Sequence, residues 1–332
     1  MDSAPRFHHV TNGDAVSAVI TAAGIPGTIS VWGDILHQGP VPEGQSHDQL
    51  CAVRARYVAD KGYAAYEDAS TYLRQAQGAL DRPTYDELVL WYEHDLFDQL
   101  NLIQVLDRLA EHERQVPRSL ISIDGFPGHA KFHGMGELSA AELATLFPER
   151  RPITPEQVAL ARQAWAAFRS PTPDALERFV TTDTSALPFL GPALMRHLEE
   201  FPSERNGLSR TEQQLLELAE PRPISIVDAF RGNAGRERWF FIGDSSFWTV
   251  VVRLATSTPA LLDVEIIEAS NQALPHGTIT ITDIGRDVMN GCADSIALCG
   301  IERWLGGVHL TASQPFRRAV PRADTTPGPA TA

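Results

Sequence analysis

Glu93, His94, Asp95, Asp98 and Gln99 place five polar groups within seven residues of the stretch LVLWYEHDLFDQLNLI (88–103). The stretch begins as an apolar strand and ends with helical spacing, so the polar groups sit at the join. His94 lies between acids. Neighbouring carboxylates are expected to raise its pKa toward working pH and fit it for general-base work. His94, Asp95 and Asp14 are therefore the candidate catalytic residues. Three other phrases add groups: TNGD with Asn12 and Gly13, GDILHQGP with Asp34 and His37, and DGFPGHAKFHG with Asp124 and Lys131. Together with Asp98 and Gln99 these are the candidate ligand-binding residues. Asn12 and the Gly13 amide, just ahead of a helical pattern, suit a phosphate or carboxylate. Asp14, Asp34 and His94 offer hard oxygen and imidazole ligands for a divalent metal such as Mg²⁺, Mn²⁺ or Zn²⁺. Their spacing matches no metal motif.

Each phrase also has a plain structural reading. NGD can be a turn with a helix cap. His8 and His9 read as one core and one surface residue by strand alternation. Asp34 and Asp124 can simply end strands, and Gly39-Pro40 reads as a turn. Asp98 and Gln99 can sit in a first helical turn, where the dipole favours an acid. The coincidence of polar clusters after four consecutive strands favours a site.

Those strands are RFHHV (6–10), TISVW (28–32), ELVLWY (87–92) and SLISI (119–123). Helical patterns lie between them at 14–24, 47–60, 69–79 and 97–113, the first ending at Gly24 as a cap. This alternation predicts an α/β fold with a mainly parallel, Rossmann-like sheet in the N-terminal half. Its four loops leave one carboxyl edge, where ligands of such sheets bind. After residue 139 the chain turns helical. SAAE (139–142), TPEQ (154–157) and SRTE (209–212) are capping boxes. Helices at 209–219, 224–229 and 245–255, followed by strands VEIIEA (264–269) and TITIT (278–282), predict a winged-helix-like α+β module. The expected division is an α/β domain over 1–138 that carries the site, a helical connector over 139–205, the winged-helix-like module over 206–320, and a disordered Pro-rich tail over 321–332.

Composition narrows the function classes. The 332 residues include only two lysines, Lys61 and Lys131, which removes a GxxxxGK phosphate loop. No GxSxG elbow occurs, and HGMGEL (133–138) has Ser139 where a dinucleotide fingerprint needs its third glycine. A net charge of −14 disfavours non-specific nucleic acid and anionic lipid. Residues 203–253 hold as many acids as arginines, so the third helix of the module is a poor DNA reader. Trp304 with Gly306 and Gly307 reads as a turn packed closely on the core. Three cysteines without CxxC spacing read as buried thiols. No apolar run or signal-like segment appears, so a cytoplasmic protein is expected.

The phrases HHVTNGD, VWGDILHQGPVP and LWYEHDLFDQLNL resemble a bacterial family catalogued as domain of unknown function eighteen thirty-five. GLSRTEQQLLE and TDIGRDVMNGCAD…GIERWLGGVHL resemble the C-terminal module that often accompanies it. The resemblance implies the two-module division and points to the same polar loops; it brings no reaction. The expected function is small-ligand binding or hydrolase or transferase chemistry at the carboxyl edge. The alternative is a regulator or adaptor whose C-terminal module contacts DNA or a protein partner.

Overall fold

The computed structural model describes residues 5–81, 84–111, 116–268 and 274–319. The expected tail at 321–332 lies outside them. In chain order the N-terminal part contains β1 (Phe7–Thr11), α1 (Asp14–Ala22), β2 (Thr28–Val31), β3 (Gly39–Pro40), α2 (His47–Asp60), α3 (Tyr66–Asp81), β4 (Glu87–Glu93), α4 (Leu96–Ala110) and β5 (Arg118–Ile123). The middle contains α5 (Ala140–Leu146), β6 (Arg151–Pro152), α6 (Pro155–Phe168), α7 (Asp174–Phe179) and α8 (Leu190–Leu198). The C-terminal part contains α9 (Arg210–Ala219), β7 (Ile224–Ser225), α10 (Ile226–Gly235), α11 (Asp244–Thr256), β8 (Leu262–Glu268), β9 (His276–Ile281), α12 (Asp283–Asn290), α13 (Ser295–Cys299), β10 (Glu302–Gly306) and β11 (Val308–Thr311).

The main sheet has the order β2-β1-β4-β5-β6. The first four strands are parallel, and β6 closes the edge antiparallel to β5. From β1 the chain moves outward to β2, then returns past β1 to β4. Strand order therefore reverses between β1 and β4. Right-handed crossovers on either side of a reversal put their helices on opposite faces. The two apolar clusters show this. Val16 and Ile20 of α1 pack with Leu143 of α5 over Val89, Trp91 and Ile121. Leu100, Ile103 and Leu106 of α4 pack over Leu88, Leu90 and Tyr92 on the other face.

With helices on both faces, alternation no longer sorts inside from outside. His8 and His9 are both buried, correcting the expected core-and-surface pair. His8 stacks on Tyr85 and bonds Thr28 through Nδ1. Trp91 Nε1 donates to His9 Nδ1, so His9 carries its proton on Nε2 and donates it to the Pro26 carbonyl.

Gly39 and Pro40 are also corrected, from a turn to a short strand. They pair in parallel with β10 in the order β11-β10-β3, which joins the C-terminal part to the N-terminal part. A third sheet, β7-β9-β8, is antiparallel throughout. One apolar core runs from Val10 through Trp165 and Leu194 to Met289 and so spans all three regions. The three capping boxes form as expected. Cys51 is buried and Cys299 half-buried, whereas Cys292 is exposed, against the expectation of buried thiols throughout. Among the described residues no helix is long and apolar enough to cross a membrane.

The β10–β11 turn lies hard against the end of α6. A Cβ on Gly307 would stand 1.9 Å from the Arg169 carbonyl oxygen, a backbone atom that cannot swing away. Gly307→Ala is expected to cost about 1–3 kcal/mol, the usual cost of overpacking. Gly78 of α3 has nothing within 4 Å of an added Cβ, and Gly78→Ala should instead gain about 0.5–1 kcal/mol. Urea denaturation of both variants checks the pair. Equal effects would contradict this account of how the hairpin is seated.

Candidate functional site at the carboxyl edge

β4 ends at Glu93, and Asp95 caps α4 by accepting from the Asp98 amide at 3.0 Å. One tight turn therefore brings Glu93, Asp95 and Asp98 together. All three are buried, and one oxygen of each lies within 4.8 Å of the others. No arginine or lysine among the described residues pairs with them. Backbone and amide donors hold them instead. Asp98 Oδ1 accepts from the Glu93 amide and Oδ2 from Asn12 Nδ2, both at 2.8 Å. Glu93 Oε1 accepts from the Met135 amide at 2.6 Å. Gln99 donates to the Glu93 carbonyl. A Cβ on Gly134 would come within 2.4 Å of Glu93 Oε2, so the first glycine of HGMGEL lets the chain pass beside this carboxyl group.

Charge follows from burial. Burial, then the Asp98 and Asp95 charges, pushes Glu93 up to about 9. Burial and Asp98 hold Asp95 well above the carboxylate range. Asp98 is pushed up to about 6 by burial, against the pull of the Glu93 amide and Asn12. Like charges this close and this dry must be neutralised, by protons or by a cation.

His94 departs from its expected behaviour. Its ring is buried against Phe132, Phe189 and Trp239, one aromatic from each region of the chain. Burial holds its pKa below the usual value, outweighing the Ile123 carbonyl and the Asp124 charge. The expectation of a raised pKa is therefore corrected: desolvation exceeds the effect of the acids. Nδ1 faces the Ile123 carbonyl at 3.2 Å. A carbonyl only accepts, so Nδ1 carries the proton and Nε2 keeps its lone pair.

The remaining expected residues divide. Asn12 joins the cluster through Asp98. Gly13 is the extended N-cap residue of α1, and Asp14, its first residue, is exposed. Asp124 and Lys131 are exposed on the loop past β5. Asp34 serves a different purpose. Both its oxygens accept from buried Arg54 at 2.8 Å, and the same guanidinium donates to the carbonyls of Ile35, Gln38 and Pro40. The loop after β2 is wrapped on that ion pair. Its backbone is held again by Asn101, which bonds both the Asp34 amide and carbonyl at 2.9 Å. His37 is buried between Phe97 and Phe241 with no hydrogen-bond partner at either ring nitrogen. Asp14, Asp34 and His94 thus do not form the expected metal set. Among the described residues, the group close enough for a shared ion is Glu93, Asp95 and Asp98. Arg54 and Asn101 were absent from the expected site, and Glu93, part of the polar join, was given no role in it. Glu93 carried a signal, as the first polar residue after an unbroken apolar strand; the other two look like ordinary helix residues.

A cavity of about 290 Å³ adjoins this centre, and Gln99, Ile123 and Phe189 are among its walls. No family model matches this chain, and no curated protein matches it.

Two pH effects follow. Burial lowers His8 and His47 to about 4, and His37 and His197 to about 3. Between pH 6.5 and these values the unfolded chain takes up protons that the folded one refuses, so stability falls as pH drops through that window. His37→Leu should flatten this acid limb and add about 1 kcal/mol or more at pH 7, since an unpartnered buried polar atom costs about 1–3 kcal/mol. Melting curves from pH 4 to 7 test it; a clear loss at pH 7 would mean that the ring serves a polar partner. Glu93 has the opposite sign. Its contribution is present in full below pH 4.5 and is lost as pH rises toward 9, by about 1.4 kcal/mol for each pH unit climbed. Glu93→Gln keeps an acceptor for Met135 and should be more stable than wild type at pH 8 but not at pH 4. A variant weaker at both would show that the carboxyl group is not held protonated.

Proposed function

We propose that the chain is a small-ligand-binding enzyme of hydrolase or transferase type that works where strand order reverses. The sheet is read as Rossmann-like, and ligands of such sheets bind in the crevice at that reversal. One observation carries the reading. The loops after β1 and β4 and the 134–135 turn all bond to carboxylates that pair with no arginine or lysine among the described residues. In this reading protons neutralise the cluster at rest, and a divalent cation replaces them when the site is loaded. Glu93, Asp95 and Asp98 would hold the ion, in place of the set expected from sequence. His94, neutral with a free Nε2, is the proton acceptor. The cavity beside Gln99 and Phe189 takes the organic part of the ligand. A phosphate-bearing ligand fits this reading, with Arg151 the cation among the cavity walls.

A second reading has its own support. The order α9-β7-α10-α11-β8-β9, with sheet order β7-β9-β8, is that expected of a winged helix. Its third helix is engaged within the chain: Arg253 pairs with Glu212 at 2.7 Å and Thr249 bonds Tyr63 at 2.7 Å. Ile266 and Ile267 of β8 are 54 % and 73 % exposed. That surface favours a protein partner over DNA in an adaptor role. The likeness of the quoted phrases to the domain of unknown function eighteen thirty-five family belongs to this proposal as well.

A thermal-shift series separates the readings. Asn caps a helix as well as Asp does, so Asp95→Asn should keep or raise the melting temperature without added ligand. Mn²⁺ should raise the wild type by a few degrees, since a ligand at a hundredfold its Kd adds about 2.7 kcal/mol. Asp95→Asn should lose that shift. If neither Mn²⁺, Mg²⁺, Zn²⁺ nor inorganic phosphate shifts the wild type, the enzyme reading fails.

A further inference from the structure

A second cleft, of about 640 Å³, opens where the loop after β2, the α2–α3 turn, α3 and the start of α11 meet. Gly33, Tyr63, Asp68, Tyr72, Ser245 and Ser246 line much of it. This volume is in the range of small-molecule sites. Its charge is one-sided: among the described residues no arginine or lysine lines it, and its acids are Asp34 and Asp68. Arg54 neutralises Asp34. Asp68, in the first turn of α3, is exposed, lines the cleft and has no ion-pair partner among the described residues. Tyr72 is 38 % exposed and is among the lining residues. The charges of Asp14 and Asp34 also act on its phenol, which burial above all pushes up to about 12. The α11 N-terminus would attract an anion, but Asp244 offsets it by accepting from the Ser245 amide at 2.7 Å. Aromatic faces beside an unpaired carboxylate are the chemistry that recognises organic cations.

We propose that this cleft binds a small organic cation with an apolar body, an amine or a quaternary ammonium compound. None of Glu93, Asp95 and Asp98 lines it, and it goes beyond the enzyme reading: Asp68 and Tyr72 take no part in that centre, so either claim can fail alone. Calorimetric titration of the full chain with benzyltrimethylammonium, benzyl alcohol and benzoate tests it. The cation should bind roughly tenfold or more tightly than the alcohol, and benzoate most weakly. Asp68→Asn and Tyr72→Leu should each weaken the cation by roughly threefold to tenfold, within the range of one exposed cation–π or charge contact. Both side chains are exposed, and unchanged melting temperatures would confirm that the variants fold. Tighter binding of benzoate, no binding of the cation below about 1 mM, or a cation affinity indifferent to both variants would each overturn the proposal.

Discussion

Three carboxylates packed into the turn between β4 and α4, with no arginine or lysine paired to them among the described residues, set the terms for the surrounding structure. Their repulsion has to be met by donors, and those donors come from distant parts of the chain. Asn12 reaches Asp98 across the point where strand order reverses. Met135 brings its amide to Glu93, which is possible only because Gly134 has no side chain to block the approach. The helix that begins there is buried almost all round, so its polar side chains must be satisfied internally. Asn101 and Gln104 do so by gripping the backbone at Asp34 and the Trp32 indole. The acid cluster and the loop after β2 are thereby fixed by the first three turns of one helix.

The three regions are tied together by similar means. Arg54 organises the 34–40 loop and so places β3, on which β10 of the C-terminal part pairs. Half-buried Arg196 spans Glu200 at 2.8 Å and Glu237 at 2.9 Å, and Arg303 meets Glu200 at 3.0 Å. Buried ion pairs of this kind add little net stability, because desolvation offsets attraction, but breaking one partner is costly. Their effect is to fix one arrangement of α8, the segment after α10 and β10. The aromatic cage around His94, which draws Phe132, Phe189 and Trp239 from three regions, depends on that arrangement.

Much of the α/β half was legible in sequence, because apolar strand runs and capping residues act locally. The four parallel strands, the helices between them and the three capping boxes follow from such signals. What stayed hidden depends on distant partners. Gly39-Pro40 has turn composition and becomes a strand only because β10 lies beside it. His8 and His9 alternate like a half-buried strand, yet helices cover both faces. Asp34 looks like a ligand until Arg54, twenty residues on, takes both its oxygens. His94 among acids suggests a raised pKa, and only the packed aromatics reveal that desolvation prevails. The polar join at 93–99 was visible from its composition. Which of its members face one another was not, because that depends on the turn geometry.

Calorimetric titration of the wild type with Mn²⁺ at pH 7, in two buffers of different ionisation enthalpy, tests the central claim most directly, since it counts protons released as the ion binds. If protons neutralise Glu93, Asp95 and Asp98 at rest, binding should release about one proton or more. The release should disappear with Asp95→Asn. Binding without proton release, or release unaltered in Asp95→Asn, would place the ion elsewhere and contradict the account of this cluster.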